Sequence, residues 1–402
     1  MIVLYFKMPD FDFKGKKVIV RVGADVPVDE KGRIKDDKRI KQSLPTIKQV
    51  LKQKPKQVIL MCHLGRPDAS SPDMKLSTKK VAERFGELLK KKIIYTPNWS
   101  TAGFENERLV FLENLRFNKG EKSKDENERR AFGAQLASLA DYYVNDAFSN
   151  AHRKHASMYD VPLLIPGCLS EAVENEITTI RNSVDNPERP MVSIIAGLKA
   201  DKLNAVKNLL GKADKILVGG ALSFALLKAF GKNVGSSKVD DEGLKEFSEL
   251  VGRIKESSKV VLPVDCIIAD KFDESAEVKT VSVDDIPDGW MGVDIGPKTI
   301  KIFEDELTKA RTIVWNGPVG VFEIRKFSKG TEEIAKFIAK CRAVKVVGGG
   351  DSAAAAAKFG VEKKMTLVST GGGASLEIIE GNELPSLKAL EQSYEKFKDI
   401  LE

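Results

Sequence analysis

The chain holds three histidines, and each lies near an arginine in a turn that follows a β-branched run. His63 stands in His63-Leu64-Gly65-Arg66-Pro67, and His152 and His155 bracket Arg153 in VNDAFSNAHRKHAS, residues 144–157. Arg21 closes the run KVIVRV, Arg39 follows Asp36-Asp37-Lys38, and Arg116 follows LVFLENL. If such runs are parallel strands, the turns after them share one sheet edge, where α/β sheets place ligands. Guanidinium and imidazole groups gathered on that edge would hold a phosphate or carboxylate by paired hydrogen bonds. One such histidine reads equally well as a satisfied loop or core residue. Together, the residues point to a small ligand with several negative charges.

The second half carries glycine loops instead. Gly219-Gly220 follows KILV, Gly348-Gly349-Gly350-Asp351 follows VKVV, and Gly371-Gly372-Gly373 follows TLVST. Such loops let backbone N–H groups and helix N-termini approach phosphate oxygens. Gly348, Gly350 and Ala353 fit G-x-G-x-x-A, but the acid expected about 20 residues later in a dinucleotide fold is missing. No G-x-x-x-x-G-K-[ST] motif occurs. Asp351 reads as a magnesium ligand or as a helix N-cap. Lys199 and Lys202, after MVSIIAGL, read as point charges on a transferring phosphate or as surface lysines of a first helical turn. Asn316 and Glu323, in and after Trp315-Asn316-Gly317-Pro318, would bind ribose hydroxyls or cap the next helix.

Short buried-type runs that alternate with segments of helical period must position these loops. Strands are expected at 17–22, 57–62, 92–95, 109–112 and 141–144, then at 191–195, 215–218, 260–264, 312–315, 344–347 and 366–369. Helices are expected at 38–52, 77–91, 126–139 and 170–182, and a last amphipathic one at 386–401. Strand–loop–helix repetition implies parallel sheets covered by helices. Pro162, Pro166, Pro187 and Pro190 mark a boundary region. The reading is α/β: two doubly wound, Rossmann-like parallel-sheet lobes separated by a hinged cleft, with the C-terminal helix packing back on the N-terminal lobe. Its domains are residues 1–168, an interdomain helix and linker at 169–189, a second lobe at 190–385, and the C-terminal helix at 386–402.

Composition narrows the function. At 42% hydrophobic and 31% charged, the chain is ordinary globular protein and not a disordered or fibrous one. No apolar run approaches the ~20 residues of a bilayer span, and Lys7, Pro9 and Asp10 end the apolar start Met1–Phe6 too early for a signal core. The four scattered cysteines suit reduced thiols in a cytoplasmic protein. The net charge of +7 comes from 65 Lys and Arg against 58 Asp and Glu. It is evenly dispersed and lacks nucleic-acid-binding motifs.

RVGADVPVD, HLGRP, LENLRF and VNDAFSNAHRKHAS resemble the substrate lobe of the phosphoglycerate kinase family. GGALSFALLKAFGKNVG, MGVDIGPKTI, WNGPVGVFEIRKFSKGT, GGGDSAAAAAKFG and STGGGASLEIIEG resemble its nucleotide lobe, and nearly the whole chain follows the family's order. The resemblance implies reversible phosphoryl transfer between 1,3-bisphosphoglycerate with ADP and 3-phosphoglycerate with ATP, in glycolysis and gluconeogenesis, by a cytoplasmic monomer. It implies no nucleic-acid or membrane partner, and Mg2+ with ATP or ADP. Arg21, Asp25, Arg39, His63, Arg66, Arg116 and Arg153 would hold the glycerate. Arg39, Lys199, Gly349 and Gly372 would serve the transferring group. Gly197, Lys199, Lys202, Gly219, Gly220, Gly292, Val293, Asn316, Pro318, Val321, Glu323, Gly349, Gly350, Asp351 and Ser352 would bind the nucleotide, with Asp351 on the metal and Gly373 N–H facing phosphate.

The chain departs from the family pattern at three places. R-V-D-x-N reads Arg21-Val22-Gly23-Ala24-Asp25, so glycine stands where the family has an acid and a carboxylate where it has an amide. The usual lysine loop, G-G-A-K-V-S-D-K, is one residue shorter here, and a glycine of the adenine pocket is replaced by Ala221. The alternative reading is therefore a nucleotide-binding relative with impaired catalysis. A nicotinamide-dependent dehydrogenase is a further one, opposed by the missing ribose-binding acid.

Overall fold

The computed structural model describes residues 4–401, so the start of the apolar segment Met1–Phe6 lies outside the described residues. Two compact units emerge: Met1–Asn175 with Glu383–Glu402, and Glu176–Asn382.

The first unit is built on a seven-stranded parallel sheet: β1 (Phe6–Lys7), β2 (Lys17–Val22), β3 (Gln57–Met61), β4 (Ile94–Thr96), β5 (Leu109–Leu112), β6 (Tyr142–Asp146) and β7 (Gly167–Leu169). Their order is β1-β7-β6-β2-β3-β5-β4. KVIVRV and QVILM are buried almost throughout, as strands covered on both faces must be. The chain runs outward from β2 through β3, returns to β6 on the other side of β2, and so reverses between β2 and β6. Open α/β sheets bind ligands outside the carboxyl ends of the strands at such a reversal. The C-terminal helix Pro385–Leu401 belongs to this unit. Ser393 Oγ accepts from the Gly167 N–H at 3.1 Å, and Tyr394 packs 4.9 Å from the Phe6 ring.

The second unit has a six-stranded parallel sheet: β8 (Met191–Ala196), β9 (Lys215–Gly219), β10 (Val260–Val261), β14 (Thr312–Asn316), β15 (Val344–Gly348) and β16 (Leu367–Val368). Its order, β10-β9-β8-β14-β15-β16, reverses between β8 and β14. A separate antiparallel sheet, β12-β11-β13, joins β11 (Asp265–Ala269), β12 (Val278–Ser282) and β13 (Met291–Ile295). This sheet adds to the two parallel sheets expected from the sequence. The strand expected over 260–264 stops at Val261, two residues before Pro263, which has no N–H to give a ladder. The run after the proline pairs in the other sheet, and half-exposed VKTVS on β12 has too little apolar alternation to announce itself.

Candidate functional sites at two sheet edges

In the first unit, the carboxyl ends of adjacent strands deliver a hydrogen-bonded cluster. Arg21, the penultimate residue of β2, is fully buried. Its Nε donates to Ser157 Oγ at 3.1 Å, one terminal nitrogen donates to Val22 O at 2.6 Å, and the other lies 2.8 Å from His63 Nδ1. Ser157 Oγ in turn donates to buried Glu121 at 2.7 Å. A guanidinium only donates, so Nδ1 of His63 must accept and its proton is assigned to Nε2. That nitrogen lies 3.2 Å from Asp25 Oδ2, and Asp25 Oδ1 accepts the Gly65 N–H at 2.8 Å. Burial pushes the His63 imidazole down to about 4, leaving it neutral near pH 7. Burial raises the Asp25 carboxyl, but hydrogen bonds from His63 and Gly65 and the charge of Arg39 outweigh it and hold the group below the usual carboxylate range.

Arg116 donates to Gly65 O at 2.6 Å, while its Nε is buried without a hydrogen-bond partner. Burial, and then the neighbouring Arg21 charge, brings its guanidinium down to about 10, so it stays cationic at neutral pH. A buried, unspent guanidinium donor is costly unless an anion satisfies it. Arg39 is partly exposed on the first turn of the helix Lys38–Lys52 and acts on Asp25 by its charge. Arg153 is exposed, donates from Nε to His152 at 3.1 Å, and acts on Arg116 by its charge. Arg66 extends into solvent next to Gly65. The structure thus ties Arg21, Asp25, His63 and Arg116 into one network, with Arg39 and Arg153 in electrostatic reach. Arg21 is the most buried member of that network, and three of its five N–H donors are directed to protein atoms.

Asn114 is a residue the sequence reading passed over inside LENLRF. It binds Leu64 O and Leu76 O through Nδ2, each at 2.8 Å, and accepts the Arg116 N–H at 3.0 Å. It therefore pins the histidine loop to the arginine loop. Local pattern offered no signal for it, because its partners lie as far as 50 residues away.

In the second unit, a cavity of about 230 Å3 opens beside the parallel sheet. Gly197, Gly220, Gly292, Val293, Pro318, Val321, Glu323 and Asp351 line it, together with Ala221 at the departed glycine position. Lys202 Nζ donates to Ala196 O and, at 2.9 Å, to Asn316 Oδ1. It bridges the ends of β8 and β14, the two strands at the reversal. Gly197 has a φ of +139°, a backbone conformation that favours glycine, and Lys202 packs against it, so that a Cβ there would stand 2.8 Å from Nζ. Asn316 is buried, and its Nδ2 donates to Gly348 O at 3.1 Å. It braces the wall from behind instead of lining the cavity. Ser352 Oγ does likewise, accepting the Gly317 N–H at 2.6 Å.

Gly349 and Gly350 open the helix Gly350–Lys358, Gly372 precedes the helix Gly373–Glu380, and Gly219 ends β9 before the helix Gly220–Ala229. Lys199 is exposed at the end of the β8 loop. The reading missed Glu176, whose carboxylate accepts the Thr370 N–H at 2.6 Å and the Gly371 N–H at 3.1 Å. It also missed Phe224, Lys238 and Phe272 in the cavity lining.

A guanidinium cluster at the sheet edge of one α/β unit and a glycine-lined cavity of about 230 Å3 beside the sheet of the other suit a phosphotransferase. The family model described as phosphoglycerate kinase matches residues 8–382. Phosphoglycerate kinase of Pseudothermotoga lettingae is 45% identical over 393 residues, covering 95% of this chain and 97% of that protein. That of Rubrobacter xylanophilus is 45% identical over 393 residues, covering 96% and 98%. Among solved structures, phosphoglycerate kinase from Coxiella burnetii superposes with a TM-score of 0.85 at 34% identity, over 97% of this chain and 99% of that one. The chain belongs to the phosphoglycerate kinase family, and its reaction is phosphoryl transfer between ATP or ADP and 3-phosphoglycerate or 1,3-bisphosphoglycerate.

Proposed function

We propose that Arg39, His63, Arg66, Arg116 and Arg153 hold 3-phosphoglycerate, with Arg21 acting through His63 as a positioning residue. The observation that carries this is the convergence of β2, β3 and β5 end loops on Gly65 and His63, with one buried Arg116 donor left unspent. The nucleotide occupies the cavity of the second unit, with Glu323 toward the ribose and the Gly349, Gly350, Gly372 and Gly373 N–H groups toward phosphate. Two of the three Lys202 donors are taken by protein, leaving one for a phosphate oxygen. Lys199 is the mobile charge for the migrating group.

The acceptor is a carboxylate with an ordinary pKa near 4, so it is ionised at neutral pH and needs no general base. What the chain must supply is positive charge, alignment and exclusion of water. The two bound substrates must also be brought within bonding distance. Asp351 is exposed and lines the cavity. One carboxylate together with nucleotide phosphates is a donor set that suits Mg2+, and the ion would neutralise charge on those phosphates. The four free cysteines support a cytoplasmic location.

The test is a coupled assay of ATP-dependent 1,3-bisphosphoglycerate formation. Turnover is expected. Nucleotide binding without turnover would reject the catalytic reading and favour the impaired relative.

A further inference from the structure

The cavity of the second unit has an apolar wall and a single cation. Phe224, Phe272, Met291 and Val293 supply the wall, Glu323 and Asp351 are its acids, and Lys238 is the only basic residue in the lining. Lys238 Nζ lies 4.7 Å from the centre of the Phe272 ring and makes no hydrogen bond or ion pair with any described residue. Phe272 itself is 48% exposed. The lysine is fixed on the side of β13: Gly235 bridges to Met291, and Ser237 Oγ accepts the Gly292 N–H at 2.8 Å. Gly197 and Asp351 come instead from the loops of the parallel sheet, where phosphate is expected. The Lys238 ammonium therefore belongs to the part of the cavity suited to a flat base.

An ammonium only donates. A 6-oxo purine offers it two acceptors on one edge, N7 and O6, whereas a 6-amino purine replaces O6 with an N–H donor. We propose that Lys238 biases this pocket toward 6-oxo purines, so that guanine nucleotides serve the kinase and their acceptance depends on this side chain. The inference rests on the reading that the cavity holds the nucleotide, and its test separates the two.

Dissociation constants for ADP, GDP and IDP are measured on the full chain, for the native protein and for Lys238→Leu and Lys238→Arg, with turnover on ATP, GTP and ITP alongside. IDP carries O6 and N7 but lacks the 2-amino group. In Lys238→Leu the GDP-to-ADP and IDP-to-ADP affinity ratios are expected to fall together, about tenfold, and Lys238→Arg restores both. Unchanged ratios would overturn the proposal, whether affinities hold or all fall equally, as they would for a charge on phosphate. A fall for GDP alone would place recognition at the 2-amino group and overturn it too, as would failure of all three to bind. Binding with no turnover rejects the catalytic reading while the ratios still decide the role of Lys238.

Discussion

Asp25 shows how one carboxylate can set the hydrogen bonds of its neighbours. Its two oxygens take the His63 Nε2–H and the Gly65 N–H, which leaves His63 Nδ1 to accept from Arg21. In Asp25→Asn a single oxygen remains. If it keeps Gly65, the amide N–H faces His63 Nε2, drives the proton to Nδ1, and sets it against an Arg21 donor. We expect the KM for 3-phosphoglycerate to rise roughly tenfold, the size of one lost charged hydrogen bond, with the KM for ATP unchanged in steady-state kinetics. The same histidine sets a pH dependence. Its folded pKa of about 4 lies below the ordinary 6.5, so the unfolded chain binds the extra proton between these values. Stability from this group is full above pH 6.5 and is lost as pH falls toward 4. The loss amounts to about 3 kcal/mol at most. Calorimetric Tm against pH should show a shallower acid slope in His63→Gln than in the native chain.

At the scale of elements, the antiparallel sheet is what adds an apolar wall to the cavity of the second unit, through Met291 and Val293 on β13. β13 brings Gly292 against the Phe224 ring: a Cβ at Gly292 would fall 2.0 Å from Phe224 Cζ. Gly292→Ala should push the ring into the cavity, weaken nucleotide binding about tenfold and cost ~1–3 kcal/mol of stability. Nucleotide titration and thermal unfolding measure the two effects. An alanine variant with native affinity would show that Phe224 can yield away from the ligand. Glu176 plays a comparable part for the 369–371 loop. Its buried carboxylate accepts from Ser369 Oγ at 2.6 Å and from two backbone N–H groups, so the glycine turn that follows starts from a fixed point.

For the molecule as a whole, the chain returns to its first unit after completing the second. Leu384, Leu387, Ala389 and Leu390 are buried, Ser386 N–H donates to Ala151 O at 3.2 Å, and Lys396 Nζ donates to Leu163 O at 2.8 Å. The first unit is thus completed by a helix, Pro385–Leu401, that follows the whole of the second unit in the chain. Truncation after Asn382 removes three buried leucines, each contributing ~1.5–3 kcal/mol. It should lower the stability of the first unit by about 5 kcal/mol or more, while the second unit still binds nucleotide. Circular dichroism melts with and without ADP should then show an early transition indifferent to the nucleotide and a later one raised by it. Loss of nucleotide binding in the truncated chain would contradict this division.

Local pattern was enough to reveal the alternation of buried runs and amphipathic helices, the arginines at strand ends and the glycine loops, because side-chain periodicity and turn chemistry are properties of neighbouring residues. KVIVRV and QVILM could hardly be anything but inner strands. Tertiary structure alone decided that Arg21 is buried within the guanidinium cluster, that His63 carries its proton on Nε2, and that Lys238 and Phe272 share a cavity. Those outcomes rest on partners such as Arg21 and Ser157, separated by 136 residues, and no local period encodes which distant group will fill a hydrogen bond or close a wall.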